Sequence, residues 1–245
     1  MQGTHKVYSA YLAGYAPYTN RCGTFKKDEM NIYGISGLGA DKRVFERLSL
    51  EQNLIPIDWI DPEPNESIES YSNRLKEVID TSEPFILIGV SFGGLIATEI
   101  SKILNPELTI LISSAETKNE LRSIYRGFGK TNLIKLIPNK LFDMPRGFAT
   151  FMFGTNEKKL LSDILDDTDL KFTKWAINEL TNWKNETKLE KVVKINGSKD
   201  KLIPPSQSDY LIDGGEHFMV VDKADEISTI INNEIKKYVP QQRLK

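Results

Sequence analysis

The chain predicts an α/β protein: a mostly parallel, doubly wound sheet, trimmed at its N-terminal edge, with one α-helical insertion. Three observations carry this. From Met30 onward, short apolar runs alternate with stretches of helical spacing, as in βαβ units. The runs are continuously apolar, as strands buried on both faces are. Residues 116–188 show no strand pattern and interrupt the alternation once.

Asn31 to Ile35 reads as the first strand and runs into Ser36-Gly37-Leu38-Gly39. Asp41 can cap a helix that turns Val44, Phe45 and Leu48 inward. Leu54 to Ile60 is the second strand. Asn65-Glu66-Ser67 opens a helix with Ile68, Tyr71, Leu75, Val78 and Ile79 on its apolar side. Phe85 to Val90 is the third strand, and Leu95 to Leu104 the next helix, stopped by Asn105-Pro106. Leu108 to Ser114 is the fourth strand. The insertion holds amphipathic stretches at Lys158–Leu165 and Phe172–Trp183, broken by Pro138, Pro145 and Gly154. Val192 to Asn196 and Asp209 to Ile212 resume the strands. Asp222 is expected to cap a last helix that buries Ile227, Ile230, Ile231 and Ile235.

The domain is therefore expected over residues 30–240, with 116–188 inserted where a loop at the strands' carboxyl ends is extended. Open α/β sheets put their sites there. Residues 1–29, with Tyr8, Tyr11, Tyr15 and Tyr18, read as an extension outside it, and Met30 as a candidate start. A signal peptide fits poorly, because four tyrosines make a weak apolar core for one.

Composition excludes several classes. The chain has 245 residues and a net charge of −2. A strongly basic face is not implied, so nucleic acid or an anionic membrane is a poor first choice of partner. No apolar run approaches the roughly 20 residues of a membrane helix. One cysteine, Cys22, fits a reducing, cytoplasmic setting. No Cys/His cluster has zinc spacing. Asp163, Asp166, Asp167 and Asp169 lack the spacing and glycine of a calcium loop. No metal or cofactor is expected. No pattern in the chain speaks to oligomeric state.

The chemistry starts at Gly89-Val90-Ser91-Phe92-Gly93, a G-x-S-x-G pattern that leaves a strand and enters a helix. A sharp strand-to-helix turn would lift Ser91 Oγ off the sheet. The plain alternative is a structural serine in a glycine-rich turn. A serine nucleophile needs a base, and the chain has two histidines. His5 lies in the extension. His217 lies in Gly214-Gly215-Glu216-His217-Phe218, between the last strand and the last helix. The imidazole needs a carboxylate. Asp200 follows the Val192–Asn196 strand and is the first choice, with Glu116 in reserve and Asp213 weaker. Oxyanion donors are expected at the N–H groups of Phe92 and Leu38.

Together GISGLGADKRVF, LIGVSFGGL, INGSKDKLIP and GGEHF resemble the α/β-hydrolase superfamily, and within it small bacterial hydrolases with a helical cap. The resemblance spans about Met30 to Val239. It implies a serine hydrolase acting on an ester or related acyl bond, with Ser91 as nucleophile, Asp200 as acid and His217 as base. It implies Leu38 and Phe92 as oxyanion donors and a small-molecule acyl substrate. The superfamily's usual His-Gly at the oxyanion loop is Ser36-Gly37 here. The stretch from Asp200 to His217 is short for the fold. Thioesterase, C–C hydrolase, lactonase and acyl-transfer chemistry would use the same residues, as would a receptor's retained pocket. Arg122, Arg126, Lys130 and Arg146 read as a solvated face of the insertion.

Overall fold

Each strand is short, apolar and followed by a turn, so each can be buried on both faces. The computed structural model describes residues 30–129, 131 and 133–238. The expectations placed on residues 1–29, on Lys130 and on 239–240 lie outside the described residues.

Six strands form one sheet: β1 (Asn31–Ile35), β2 (Leu54–Ile57), β3 (Phe85–Val90), β4 (Leu108–Ile112), β5 (Val192–Gly197) and β6 (Tyr210–Ile212). Their order is β2-β1-β3-β4-β5-β6, and every pairing is parallel. No strand lies beyond β2 among the described residues. Parallel pairing puts all six carboxyl ends on one side, and the loops leaving β1, β3, β5 and β6 gather there.

Alternate residues of β3 show how the two faces are filled. Ile86, Ile88 and Val90 join a core with Val220, Ile227, Ile231 and Ile235. Phe85 and Leu87 join a second core with Ile68, Tyr71, Leu75, Leu95, Ile96 and Ile100. The first face is covered by α8 (Met219–Asp222) and α9 (Ala224–Ile235), the second by α1 (Ile68–Leu75) and α2 (Phe92–Leu104).

Between β4 and β5 the chain is helical: α3 (Ser123–Gly129), α4 (Leu133–Leu136), α5 (Arg146–Phe153), α6 (Lys158–Asp166) and α7 (Leu170–Asn182). An aromatic cluster docks it on the second face. Trp59 and Phe172 lie 4.9 Å apart, and Tyr71 and Trp175 4.4 Å. The Trp183 indole donates to Glu99 at 2.8 Å.

Several local expectations are corrected. Asp41 caps only a single 3-10 turn, Lys42–Phe45, through the Arg43 N–H. β2 stops at Ile57, because Asp58 and Asp61-Pro62 interrupt the apolar run beyond it. α1 ends at Leu75 and tightens to a 3-10 turn, which rotates Val78 out to 57 % exposure. α2 starts at Phe92, three residues before Leu95, because its two glycines are needed for space and do not break the helix. Asp222 closes α8 and does not cap α9; Lys223 precedes α9 and makes no side-chain cap. No helix forms between β5 and β6.

Candidate active site

Ser91 sits between β3 and α2 at φ 52°, ψ −122°. A non-glycine residue held there stores about 1–3 kcal/mol of strain. Its neighbours impose it. The Ser91 N–H donates to the Ile112 carbonyl at 2.9 Å. Its carbonyl accepts from Ser114 Oγ at 2.7 Å and from the Gly94 N–H at 2.9 Å. The flanking glycines supply room. A Cβ on Gly89 would lie 2.5 Å from Gly94 Cα, and one on Gly93 2.0 Å from the Ser36 carbonyl oxygen.

His217 lies in the loop between β6 and α8, with 4 % of its surface exposed. Its Nε2 is 2.8 Å from Ser91 Oγ. Its Nδ1 is 2.8 and 3.0 Å from the two Asp200 carboxylate oxygens. A carboxylate only accepts, so Nδ1 carries the proton. Nε2 is then bare and accepts from the Ser91 hydroxyl. Asp200 follows β5 and is held by the N–H groups of Leu202 and Ile203, which donate to Oδ1 at 2.8 and 2.9 Å.

The two reserve acids lie elsewhere. Glu116 is buried but accepts from the Leu189 N–H at 2.6 Å and stands 3.7 Å from Lys194 Nζ. It ties the exit of the helical segment to β5. Asp213 is exposed on the turn after β6. The aspartates of α6 and α7 are also accounted for. Asp163, Asp166 and Asp167 pair with Lys159, Arg146 and Arg43, and Asp169 caps α7. No metal-ligand cluster occurs among the described residues.

Phe92 is the first residue of α2, so its N–H has no acceptor within the helix. Leu38 lies on the loop after β1, which passes over the serine. A Cβ on Gly37 would be 3.4 Å from Ser91 Cβ. Ser36 donates to the Ala40 carbonyl at 2.8 Å. That carbonyl also accepts from the Trp59 indole at 2.9 Å, and Thr168 Oγ1 donates to Gly39 O at 2.8 Å. The loop's shape is thus fixed by residues from three parts of the chain.

A cavity of about 270 Å³ opens on Ser91 and His217. Leu38 and Phe92 line it, and Tyr125, Met144, Phe153 and Leu180 of the helical segment close it. Its lining includes no Lys, Arg, Asp or Glu. Arg126 and Arg146 point elsewhere, to Asn119 and to Asp143 and Asp166. Burial pushes the Tyr125 phenol above its usual pKa, and its hydroxyl donates to Leu202 O at 2.9 Å. Phe153 meets the His217 ring edge-on, with centroids 5.5 Å apart. Its carbonyl accepts from the Phe218 N–H at 3.0 Å. The sequence shows Tyr125 and Phe153 only as two of many aromatics in the insertion. Their position over the site comes from packing, which no local pattern encodes.

Next to this cluster a second pair joins the same two loops. Lys201, following Asp200, pairs with Glu216, preceding His217. Lys201 Nζ also stands 5.1 Å over the Phe151 ring.

The parallel sheet order, the serine turn at the end of β3 and the histidine after the last strand make this the α/β-hydrolase fold. Solved structures agree. The meta-cleavage product hydrolase from Pseudomonas fluorescens IP01 matches with a TM-score of 0.63 at 13 % identity, over 86 % of this chain and 92 % of its own. A lipase-esterase related protein from Clostridium acetobutylicum ATCC 824 matches with a TM-score of 0.60 at 18 % identity, over 87 % and 96 %. A bromoperoxidase from Bacillus anthracis matches with a TM-score of 0.64 at 16 % identity, over 85 % and 92 %. No protein-family model matches the chain, and no curated protein is similar to it in sequence.

Proposed function

We propose that the protein is a serine hydrolase that cleaves an ester bond through an acyl-enzyme, with Ser91, His217 and Asp200 as catalytic triad. The observation that carries this is the unbroken chain of hydrogen bonds from Ser91 Oγ through His217 to Asp200. His217 Nε2 takes the hydroxyl proton as Oγ attacks the acyl carbon. The carbonyl oxygen becomes an oxyanion held by the N–H groups of Leu38 and Phe92. The carbon–oxygen bond to the leaving group breaks, and the leaving oxygen takes the proton from His217. Water then gives a proton to His217 and attacks the acyl-enzyme. Ser91 recovers its proton and the carboxylic acid departs. Asp200 holds His217 in the working tautomer and stabilises it when charged.

Residues 116–188 act as a cap over the site. The uncharged, largely apolar lining supports a neutral acyl group as substrate. Thioester, lactone and C–C substrates would use the same three residues. The single cysteine of the chain supports a cytoplasmic enzyme.

The test is labelling by a fluorophosphonate probe. The wild-type protein is expected to label, and folded Ser91→Ala is not. A folded wild-type protein that stays unlabelled would favour a ligand-binding role for the cavity. A nitrophenyl ester series is expected to lose turnover once the acyl chain outgrows the cavity, and acyl groups bearing a charge should react poorly.

Lys201 and Glu216 set the spacing of the acid and base loops under this mechanism, and act by positioning. Lys201→Met and Glu216→Gln are each expected to lower kcat about tenfold with KM little changed, since small misplacements at the reacting atoms are costly. The pair is partly exposed, so melting temperature should move little. The exchanged pair Lys201→Glu with Glu216→Lys should recover much of the loss. Unchanged kcat in both single variants would remove the positioning role.

A further inference from the structure

Three of the helices between β4 and β5, α3, α4 and α5, are two-sided, and they expose large apolar side chains on their outer side. Seven of the ten large apolar side chains exposed among the described residues lie between 124 and 151. They recur at helical spacing. Ile124 and Phe128 are four apart on α3, Leu133 and Leu136 three apart on α4, and Phe148 and Phe151 three apart on α5. Residues three or four apart share a helix face. The inner sides of the same helices are occupied. Tyr125 and Phe153 line the cavity, and Ile134 and Ala149 are buried. Leu136 is 79 % exposed, so the outer residues are not a core seen through a gap. Single exposed apolar side chains are ordinary, but a concentrated set at helical spacing marks a contact surface.

Charge says what it contacts. Residues 122–151 contain six Lys or Arg and one acid, Asp143, in a chain whose net charge is −2. Asp143 is paired with Arg146. Lys135 and Lys140 are exposed and form no ion pair among the described residues. Amphipathic helices that alternate basic and large apolar side chains lie in the headgroup region of an anionic bilayer. A nucleic acid would attract the charge but leave the aliphatic residues without a role. A protein partner would need an acidic, apolar groove. Among the described residues no helix is long and apolar enough to cross a membrane, so the contact lies on the surface.

We infer that the outer face of α3, α4 and α5 docks the protein on an anionic lipid surface, with the cavity roof between bilayer and sheet. The inference is independent of the chemistry at Ser91. It is tested by co-sedimentation of the full chain with phosphatidylcholine vesicles, with and without phosphatidylglycerol. The chain is expected to sediment with the phosphatidylglycerol vesicles and to be released by salt. Leu136→Asp with Phe148→Asp changes two exposed residues, and Lys135→Glu with Lys140→Glu reverses two exposed charges. Each double variant should lower the bound fraction at least tenfold, with its circular dichroism unchanged. Absence of binding to phosphatidylglycerol vesicles overturns the inference. So does equal binding to pure phosphatidylcholine, or retention of binding in both variants. If the wild-type chain is a dimer in solution, ignores vesicles, and becomes monomeric with Leu136→Asp, the face joins two copies and lipid is not its occupant.

Discussion

Ser91→Ala is expected to lower ester turnover by about 10³-fold or more, leaving a small remainder from binding and the oxyanion donors. The size follows from the chain of three groups. Without Oγ, His217 in the proposed mechanism has no hydroxyl to activate. Groups that act as a unit, as proposed for these three, show losses that do not add. Ser91→Ala, His217→Ala and the double variant should therefore have similar residual rates. Asp200→Asn should fall by a comparable order, because an amide can favour the wrong tautomer of His217. Steady-state kinetics on one nitrophenyl ester measures all four. A double variant as far below Ser91→Ala as Ser91→Ala is below wild type would mean that the residues act separately, against a triad.

Gly93→Ala is expected to be the most damaging glycine-to-alanine change among the described residues. The added Cβ would meet the Ser36 carbonyl oxygen at 2.0 Å and the Ile35 carbonyl oxygen at 2.4 Å. Both are backbone atoms of the β1 exit, so no side chain can swing aside. β1 or the start of α2 has to move. Overpacking of this kind costs about 1–3 kcal/mol and sometimes more, which is about 2–12 °C in Tm at this chain length. Leu38 and Ser91 lie on the two parts forced apart, so probe labelling should fall along with Tm. Gly127→Ala is the control. A Cβ there meets nothing within 4 Å, and alanine is the better helix residue. Its Tm and labelling should match or exceed wild type. Equal behaviour of the two variants would mean that the contact at Gly93 is not close.

The parts of the site legible in the sequence sit at strand exits. Ser91, Asp200 and His217, which lie within hydrogen-bond reach of one another, each follow an apolar run within a short, polar or glycine-rich stretch, so local pattern and chain order single them out as candidates. Leu38 and Phe92, which line the cavity, follow β1 and β3 in the same way. The acid was left with alternatives because Glu116 also follows a strand. Only tertiary packing takes it to Lys194 and the Leu189 N–H. Helix ends were read less well. Val78 has the right spacing for α1, but the helix tightens before reaching it. Asp222 has the right type for a cap, yet α8 intervenes. The cavity roof was not legible, since Tyr125, Met144, Phe153 and Leu180 are separated in sequence and meet only when the segment folds over the sheet. Net charge is uninformative here for a related reason. A value of −2 over 245 residues hides a basic stretch at 122–151.

The long reach between Ser91 and His217 has a consequence for how the molecule is made. They are 126 residues apart, and the histidine waits on β6, the last strand at one edge of the sheet. A ribosome-bound chain that has already built β1 to β4 carries the bent serine turn but not His217. Under the proposed mechanism it acquires reactivity only after the helical segment, β5 and β6 have emerged and paired. Distant pairings of this sort form late and slowly. Reactivity toward a serine probe is thus a clock for the final stage of folding. A nascent or misfolded chain holding its first four strands would be chemically silent.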